Sequence, residues 1–164
     1  MPVSESKNSP LRLEIVREPG SEGLPLPSYA TPGAAGLDLY AAILEGEEIV
    51  LEPGKRALVT TGLRIAVPLG YEAQIRARSG LAIKHGIGLV NAPGTIDSDY
   101  RGVVQVILIN WGDSPFTIRR GDRIAQMVLS SVASAVLVEC AELSGTERGE
   151  GGFGSTGVRD SSIP

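Results

Sequence analysis

The chain has 164 residues, 42% of them hydrophobic, enough for one domain with a substantial core. Net charge is −4 and no basic run or tail occurs, so polymeric nucleic acid is not an expected partner, whereas a small anionic substrate needs only a few local arginines. A single cysteine (Cys140) excludes an internal disulfide, no apolar run approaches the ~18 residues of a membrane span, and MPVSESKNSP lacks a basic-then-apolar leader pattern, so the expected setting is cytoplasmic, away from membranes.

Residues 1–10 read as a disordered N-terminal arm, 11–143 as one β domain, and 144–164 as a flexible C-terminal lid and tail. LRLEIVR (11–17) alternates apolar and charged residues, as a half-buried strand does. The Pro/Gly-rich stretch at 18–36 suits neither a helix nor a central strand. DLYAAI, EEIVLEP, KRALVTTGLRIAV, GYEAQIRAR, GIGLVNA, VVQVILIN, SPFTIRR, DRIAQMVL and SVASAVLVEC follow. They are short, rich in β-branched residues and separated by Gly, Pro, Asn or Asp, the spacing of an all-β sandwich or barrel. EPGK (52–55) and PLGY (68–71) carry turn chemistry. SGLAIKHG (79–86), short and ending in glycine, is the best helix candidate. The expected fold is all-β, a jelly roll or distorted barrel with one short helix.

Four segments of this frame could carry chemistry. In NAPGTIDSDYRG (91–102), Asp97 and Asp99 would share a face of extended chain, though a turn would separate them. Asn91 offers a donor and an acceptor, Tyr100 a flat face, and Gly94 and Gly102 allow close backbone approach; the alternative is an Asp/Ser-rich turn. In RARSGLA (76–82), Arg78, Ser79 and Gly80 supply a cation, a hydroxyl and an accessible N–H, or else Ser79 is an ordinary N-cap beside a surface arginine. In RRGDRIAQMV (119–128), Ile124, Gln126 and Val128 would share a strand face, and Gln126 is either a paired core amide or aimed at a site. Arg119, Arg120 and Arg123 fit solvated edge charges. Asp38, in AAGLDLYA (34–41), by itself suits a turn.

The remaining groups are less promising. His85 is the sole histidine and lacks neighbours at zinc-ligand spacing. Cys140, in the apolar run AVLVEC, suits a core position better than a nucleophile. RGEGGFGSTG (148–157) is half glycine and cannot fold unaided, yet it carries Arg148, Phe153, Ser155 and Thr156.

Taken in order, AGLDLYA (35–41), RSGLA (78–82), NAPGTIDSDYRG, GDRIAQM (121–127) and RGEGGFGSTG resemble the five motifs of the trimeric deoxyuridine triphosphate nucleotidohydrolases (dUTPases). LPLPSYAT (24–31) also looks familial, and the resemblance runs from about residue 24 to Gly157. It implies a jelly-roll homotrimer of the β-clip kind with three active sites, each assembled from more than one subunit. The implied reaction is dUTP plus water giving dUMP and pyrophosphate with Mg²⁺, which supplies dUMP for thymidylate synthesis and keeps uracil out of DNA.

Carried over residue by residue, Asp97 resembles the general base for the attacking water. Asn91, Gln105 and the backbone of Gly94, Thr95, Ile96 and Asp97 would read uracil, and Tyr100 would pack under the deoxyribose and exclude a 2′-hydroxyl. Arg78, Ser79 and Gly80 would hold phosphates. Gln126 would help place the α-phosphate and water, and Asp38 would support the metal and base arrangement without ligating directly. Arg148 resembles a phosphate clamp, and Phe153, beside Gly154 and Ser155, a ring closing over uracil.

Phosphoanhydride hydrolysis agrees with this set, since it needs an aligned water, charge neutralisation and solvent exclusion more than covalent chemistry. The scarcity of carboxylate clusters fits Mg²⁺ held mainly by the triphosphate and waters. The arm would act as a lid ordered by the nucleotide. A dCTP deaminase of the same superfamily would need a glutamate in the strand VVQVILIN (103–110), which has none. A non-hydrolytic dUTP-binding regulatory trimer would not need Asp97, Gln126 and Arg148 together. A structural jelly roll without ligand would make all five motifs coincidental turns.

Overall fold

The computed structural model describes residues 10–152, and the chain divides into two compact units after Ala133. Short β-branched segments punctuated by turn residues give the first unit ten strands and one helix. In chain order they are β1 (Glu14–Arg17), β2 (Leu37–Tyr40), β3 (Glu48–Leu51), β4 (Arg56–Ala66), β5 (Tyr71–Arg76), α1 (Ser79–His85), β6 (Ile87–Leu89), β7 (Gly94–Ile96), β8 (Val103–Asn110), β9 (Phe116–Arg119) and β10 (Arg123–Ser131). They form two four-stranded sheets, β1-β4-β8-β6 and β2-β10-β5-β7, and a two-stranded ribbon, β3-β9. Every pairing is antiparallel.

Period-2 alternation sets which face is buried. Along β8, Val104, Val106, Leu108 and Asn110 point inward while Gln105 is exposed. Those side chains meet Val59 and Ile65 of β4, Leu39 of β2, Ala73 and Ile75 of β5, and Ile124 and Met127 of β10 in one hydrophobic cluster. Asn110 is the polar exception, fully buried. Its amide donates to the carbonyls of Leu51 and Ser114, and its oxygen accepts from the Gly112 N–H, each at 2.8 Å, so both of its side-chain polar atoms are paired.

Turn chemistry falls where the sequence places it. Gly54 (φ 74°) and Gly70 (φ 84°) take left-handed positions, and Lys55 and Tyr71 donate backbone N–H groups to Glu52 and Pro68 at 3.0 and 3.1 Å. Helix α1 ends at Gly86 (φ 67°), whose N–H reaches back to Ala82 and Leu81. No helix among the described residues is long and apolar enough to cross a membrane.

Three local expectations are corrected. SVASAVLVEC is not a continuous strand: β10 ends at Ser131, and residues 132–140 join none of the ladders. A strand needs a neighbour for its backbone groups, and none of the described strands supplies one. Cys140 in that run is exposed, not a core residue. In β10, a register shift between Arg123 and Ala125 breaks the alternation, so Ile124 and Ala125 are both buried while Gln126 and Val128 are half-buried.

The second unit, described as far as Gly152, contains no strand or helix among those residues. It has turns near its end, where Arg148 donates from Nε to the Gly151 carbonyl at 2.7 Å.

Candidate active site

Asp38 is not a turn residue but lies within β2, its side chain only 4% exposed. A carboxylate this buried must be neutralised. Its Oδ1 lies 3.2 Å from Arg78 Nε and accepts from Gln126 Nε2 at 3.2 Å, while Oδ2 pairs with Arg123 Nη1 at 3.1 Å. Arg78 also donates to the Arg123 carbonyl at 3.1 Å. Strand register explains the meeting: Gln126 of β10 sits opposite Asp38 on one side and Arg76 on the other. Gly36 lets β2 enter this site closely, because a Cβ there would stand 3.1 Å from Gln126 Cβ.

Two guanidiniums against one carboxylate leave the cluster with a surplus positive charge. The Arg123 side chain is 50% exposed and that of Arg78 24%, so part of this charge is open to an anion. Arg78 is itself the N-cap of α1, extended at φ −87° and ψ 125°, and no side chain caps the helix. Ser79 is therefore not a capping serine. It and Gly80 are exposed in the first turn, directly after Arg78. Arg78 and Arg123 border a depression of about 530 Å³ shared with Tyr40, His85 and Phe116.

A second concavity, about 210 Å³, is lined by Asn91, Gly94, Thr95, Ile96, Asp97, Tyr100 and Gln105 over an apolar floor that includes Ile75, Leu89 and Val106. Polar edges over an apolar floor suit a flat heterocycle. β7 pairs with β5 and carries the Gly94–Ile96 wall. Gly94 is buried, and a Cβ there would come 3.0 Å from Asn91 Nδ2. Asp97 follows β7 and is exposed. A turn then bends the chain: the Tyr100 N–H donates to the Asp97 carbonyl at 3.2 Å. Asp97 and Asp99 consequently part company, with Asp99 bordering a different depression beside Arg12 and Leu69.

Asp38 and the wall that precedes Asp97 belong to one sheet but stand far apart in it. β7 and β2 are its two edges, and Ile96 is opposite Ala73 while Gln126 is opposite Arg76 at the other end of β5. Three strand spacings across and about four residues along separate Asp97 from Asp38, roughly 20 Å. Within one chain the fold thus brings Asp38, Arg78 and Gln126 together, and separately Asn91, Gly94, Thr95, Ile96, Asp97, Tyr100 and Gln105. Arg148 belongs to the second unit. Phe153, Gly154 and Ser155 lie outside the described residues.

The dUTPase family model matches residues 22–157 of this chain. The chain belongs to the dUTPase family.

Curated relatives extend the match over nearly full length. The deoxyuridine 5′-triphosphate nucleotidohydrolase of Zymomonas mobilis is 56% identical over 90% of this chain and 99% of that protein. That of Beijerinckia indica is 59% identical over 90% of this chain and 92% of its own length. Among solved structures, a point mutant of the Staphylococcus bacteriophage 80alpha dUTPase with dUpNHpp superposes with a TM-score of 0.79 at 26% identity, covering 90% of this chain and 99% of that one. A mutant dUTPase of S. aureus phage phi11, studied for the coordination of a structural Mg(II) ion, shares the fold at a TM-score of 0.70 and 23% identity, over 80% of this chain and 97% of that one.

In this dUTPase, Arg123 is a member of the cluster and not a solvated edge charge. Its ion pair with Asp38 spans 85 residues of chain, which no local pattern reveals. Of the other two arginines, Arg119 pairs with exposed Glu48, and Arg120 braces the carbonyls of Gly20, Glu22 and Ile43. Asp38→Ala should lower stability by about 1–3 kcal/mol, less than for a fully buried pair because both arginines reach water. The same change should reduce turnover by releasing Arg78 and Gln126. Urea denaturation and steady-state kinetics check the two effects separately.

Proposed function

We propose that this dUTPase cleaves dUTP by attack of an Asp97-activated water on the α-phosphate, in a homotrimer whose sites are shared between subunits. The separation of Asp97 from the Asp38–Arg78–Gln126 cluster carries the reading. A water bound by its general base must lie within about 3 Å of it, and no rotamer of Asp97 spans roughly 20 Å. A second copy presenting its base cleft to this cluster closes the gap. The homotrimer also gives the apolar run at 132–138 a place to pack, since Val136 is 90% and Leu137 94% exposed.

In this reading uracil enters the 210 Å³ cleft, with its edge met by Asn91, Gln105 and the backbone from Gly94 to Asp97. Cytosine would leave buried polar groups unpaired there, and the methyl of thymine would crowd the wall. Tyr100 underlies the deoxyribose. Arg78, Ser79 and Gly80 of another subunit receive the phosphates, and the surplus positive charge around Asp38 offsets the charge of the transition state. Gln126, oriented by Asp38, places the α-phosphate and the water. Arg148 and Phe153 of the arm close over the bound nucleotide and exclude solvent.

The donor set also fits Mg²⁺ held through the triphosphate. Both oxygens of Asp38 already face cations or an amide, and the described residues hold no group of three or more His, Cys, Asp or Glu placed for a metal. Bound in this way, Mg²⁺ would neutralise polyphosphate charge and draw electron density from the phosphate oxygens. The cytoplasm, where deoxynucleotides are made, is the proposed location.

Pyrophosphate release from dUTP, dCTP, dTTP and UTP with Mg²⁺ tests the reading. Release from dUTP far above that from the other three is expected. Tight binding of dUTP without release would replace the hydrolase by a nucleotide sensor, and ammonia from dCTP would replace it by a deaminase.

A further inference from the structure

The stretch from Asp97 to Val103 closes on itself. The Tyr100 N–H is bonded to the Asp97 carbonyl, and the Arg101 guanidinium donates to the carbonyls of Ser98 and Tyr100, both at 2.8 Å. The Tyr100 ring then doubles back, so that its hydroxyl donates to the Val103 carbonyl at 3.1 Å. This route carries the ring directly over Gly102. A Cβ at that position would stand 2.5 Å from Cζ and 3.0 Å from Cε2, and closer still to Oη.

The backbone does not require glycine there. The φ of Gly102 lies outside the left-handed region, unlike that of Gly54, Gly70 or Gly86. Alanine fits the chain at residue 102 but not the space above it. The missing Cβ therefore makes room for one particular ring in one particular pose.

We propose that Gly102 is a specificity-determining position for the sugar: by leaving the Tyr100 ring seated against the chain, it sets the fit that admits deoxyribose and rejects ribose. This rests on the reading that Tyr100 underlies the sugar. Tyr100 lines the same cleft as Asn91, Asp97 and Gln105, so the pose of its ring shapes the wall next to the base. Rejecting a single hydroxyl depends on a fit of fractions of an ångström. A methyl at residue 102 lifts the ring off the Val103 carbonyl and forfeits that fit. dUTP loses the packing of the ring and UTP loses the wall that excludes its 2′-hydroxyl, so the two rates converge.

The test is a double-mutant cycle read as the ratio of kcat/KM for dUTP to that for UTP, in the wild type, Gly102→Ala, Tyr100→Ala and the double variant. Both substrates are assayed on one preparation, so the ratio is independent of the fraction folded. Gly102→Ala should narrow the ratio about tenfold, within the range a misfit of methyl size produces. Tyr100→Ala should narrow it at least as much, and adding Gly102→Ala to Tyr100→Ala should change nothing further, because the ring through which Gly102 acts is gone.

Each other result overturns the inference in a recognisable way. An unchanged ratio in Gly102→Ala, with a collapsed ratio in Tyr100→Ala, removes the role of Gly102 and keeps that of Tyr100. A further narrowing of equal size in the double variant shows that Gly102 acts independently of the ring. Full discrimination in Tyr100→Ala removes the sugar role of Tyr100 itself, and this inference with it.

Discussion

Asp97→Asn should lower kcat for dUTP about a thousandfold while leaving dUTP affinity within a few fold, the middle of the range for losing a general base. Asparagine keeps the size and much of the hydrogen bonding of aspartate but cannot take the proton of the attacking water. Single-turnover assays and direct titration of dUTP separate the two quantities. An unchanged kcat would remove Asp97 from the chemistry.

The roughly 20 Å between Asp97 and Asp38 in one chain adds a stricter consequence. Asp97→Asn and Gln126→Ala chains, each inactive alone, should regain activity when unfolded together and refolded as mixed trimers. With random mixing, about a quarter of the sites would combine an intact Asp97 from one chain with an intact Gln126 from another. Recovery near that level supports sites shared between subunits. No recovery in mixed trimers, verified by mass, would place both residues of a working site in the same chain and contradict the register-based distance.

Deletion of residues 146–164 should leave the β domain folded and lower kcat by a factor on the order of 10²–10³, the cost of losing one well-placed group that stabilises developing charge. The core argues for survival of the fold: among the described residues its buried hydrophobic cluster is drawn from residues 39–127. In the proposed mechanism the function lost is that of Arg148, as a cation for phosphate, and of Phe153, as a ring over the base. Circular dichroism of the truncated protein, beside its turnover of dUTP, separates the two contributions. Full turnover after truncation would sink the lid.

The sequence by itself determined what local chemistry controls. Gly54 and Gly70 turn the chain between strands and Gly86 ends α1 because positive φ is inexpensive only for glycine, and that preference is written in single residues. VVQVILIN shows its buried face because side-chain period and strand period coincide. The five ordered motifs gave the family, since each joins residue types that one chemistry needs at close spacing.

Tertiary structure decided whatever depends on partners distant in the chain. Asp38 looked like a turn residue and proved a buried carboxylate, because Arg78, Arg123 and Gln126 arrive from other elements to neutralise it. A register shift in β10 moved Ile124 off the face of Gln126, and a single turn separated Asp97 from Asp99. SVASAVLVEC has the composition of a strand, but a strand exists only where another backbone answers its N–H and C=O groups. Composition states a preference; the identity of the neighbour, which fixes burial, charge pairing and the pose of Tyr100 over Gly102, arises only when the chain has folded.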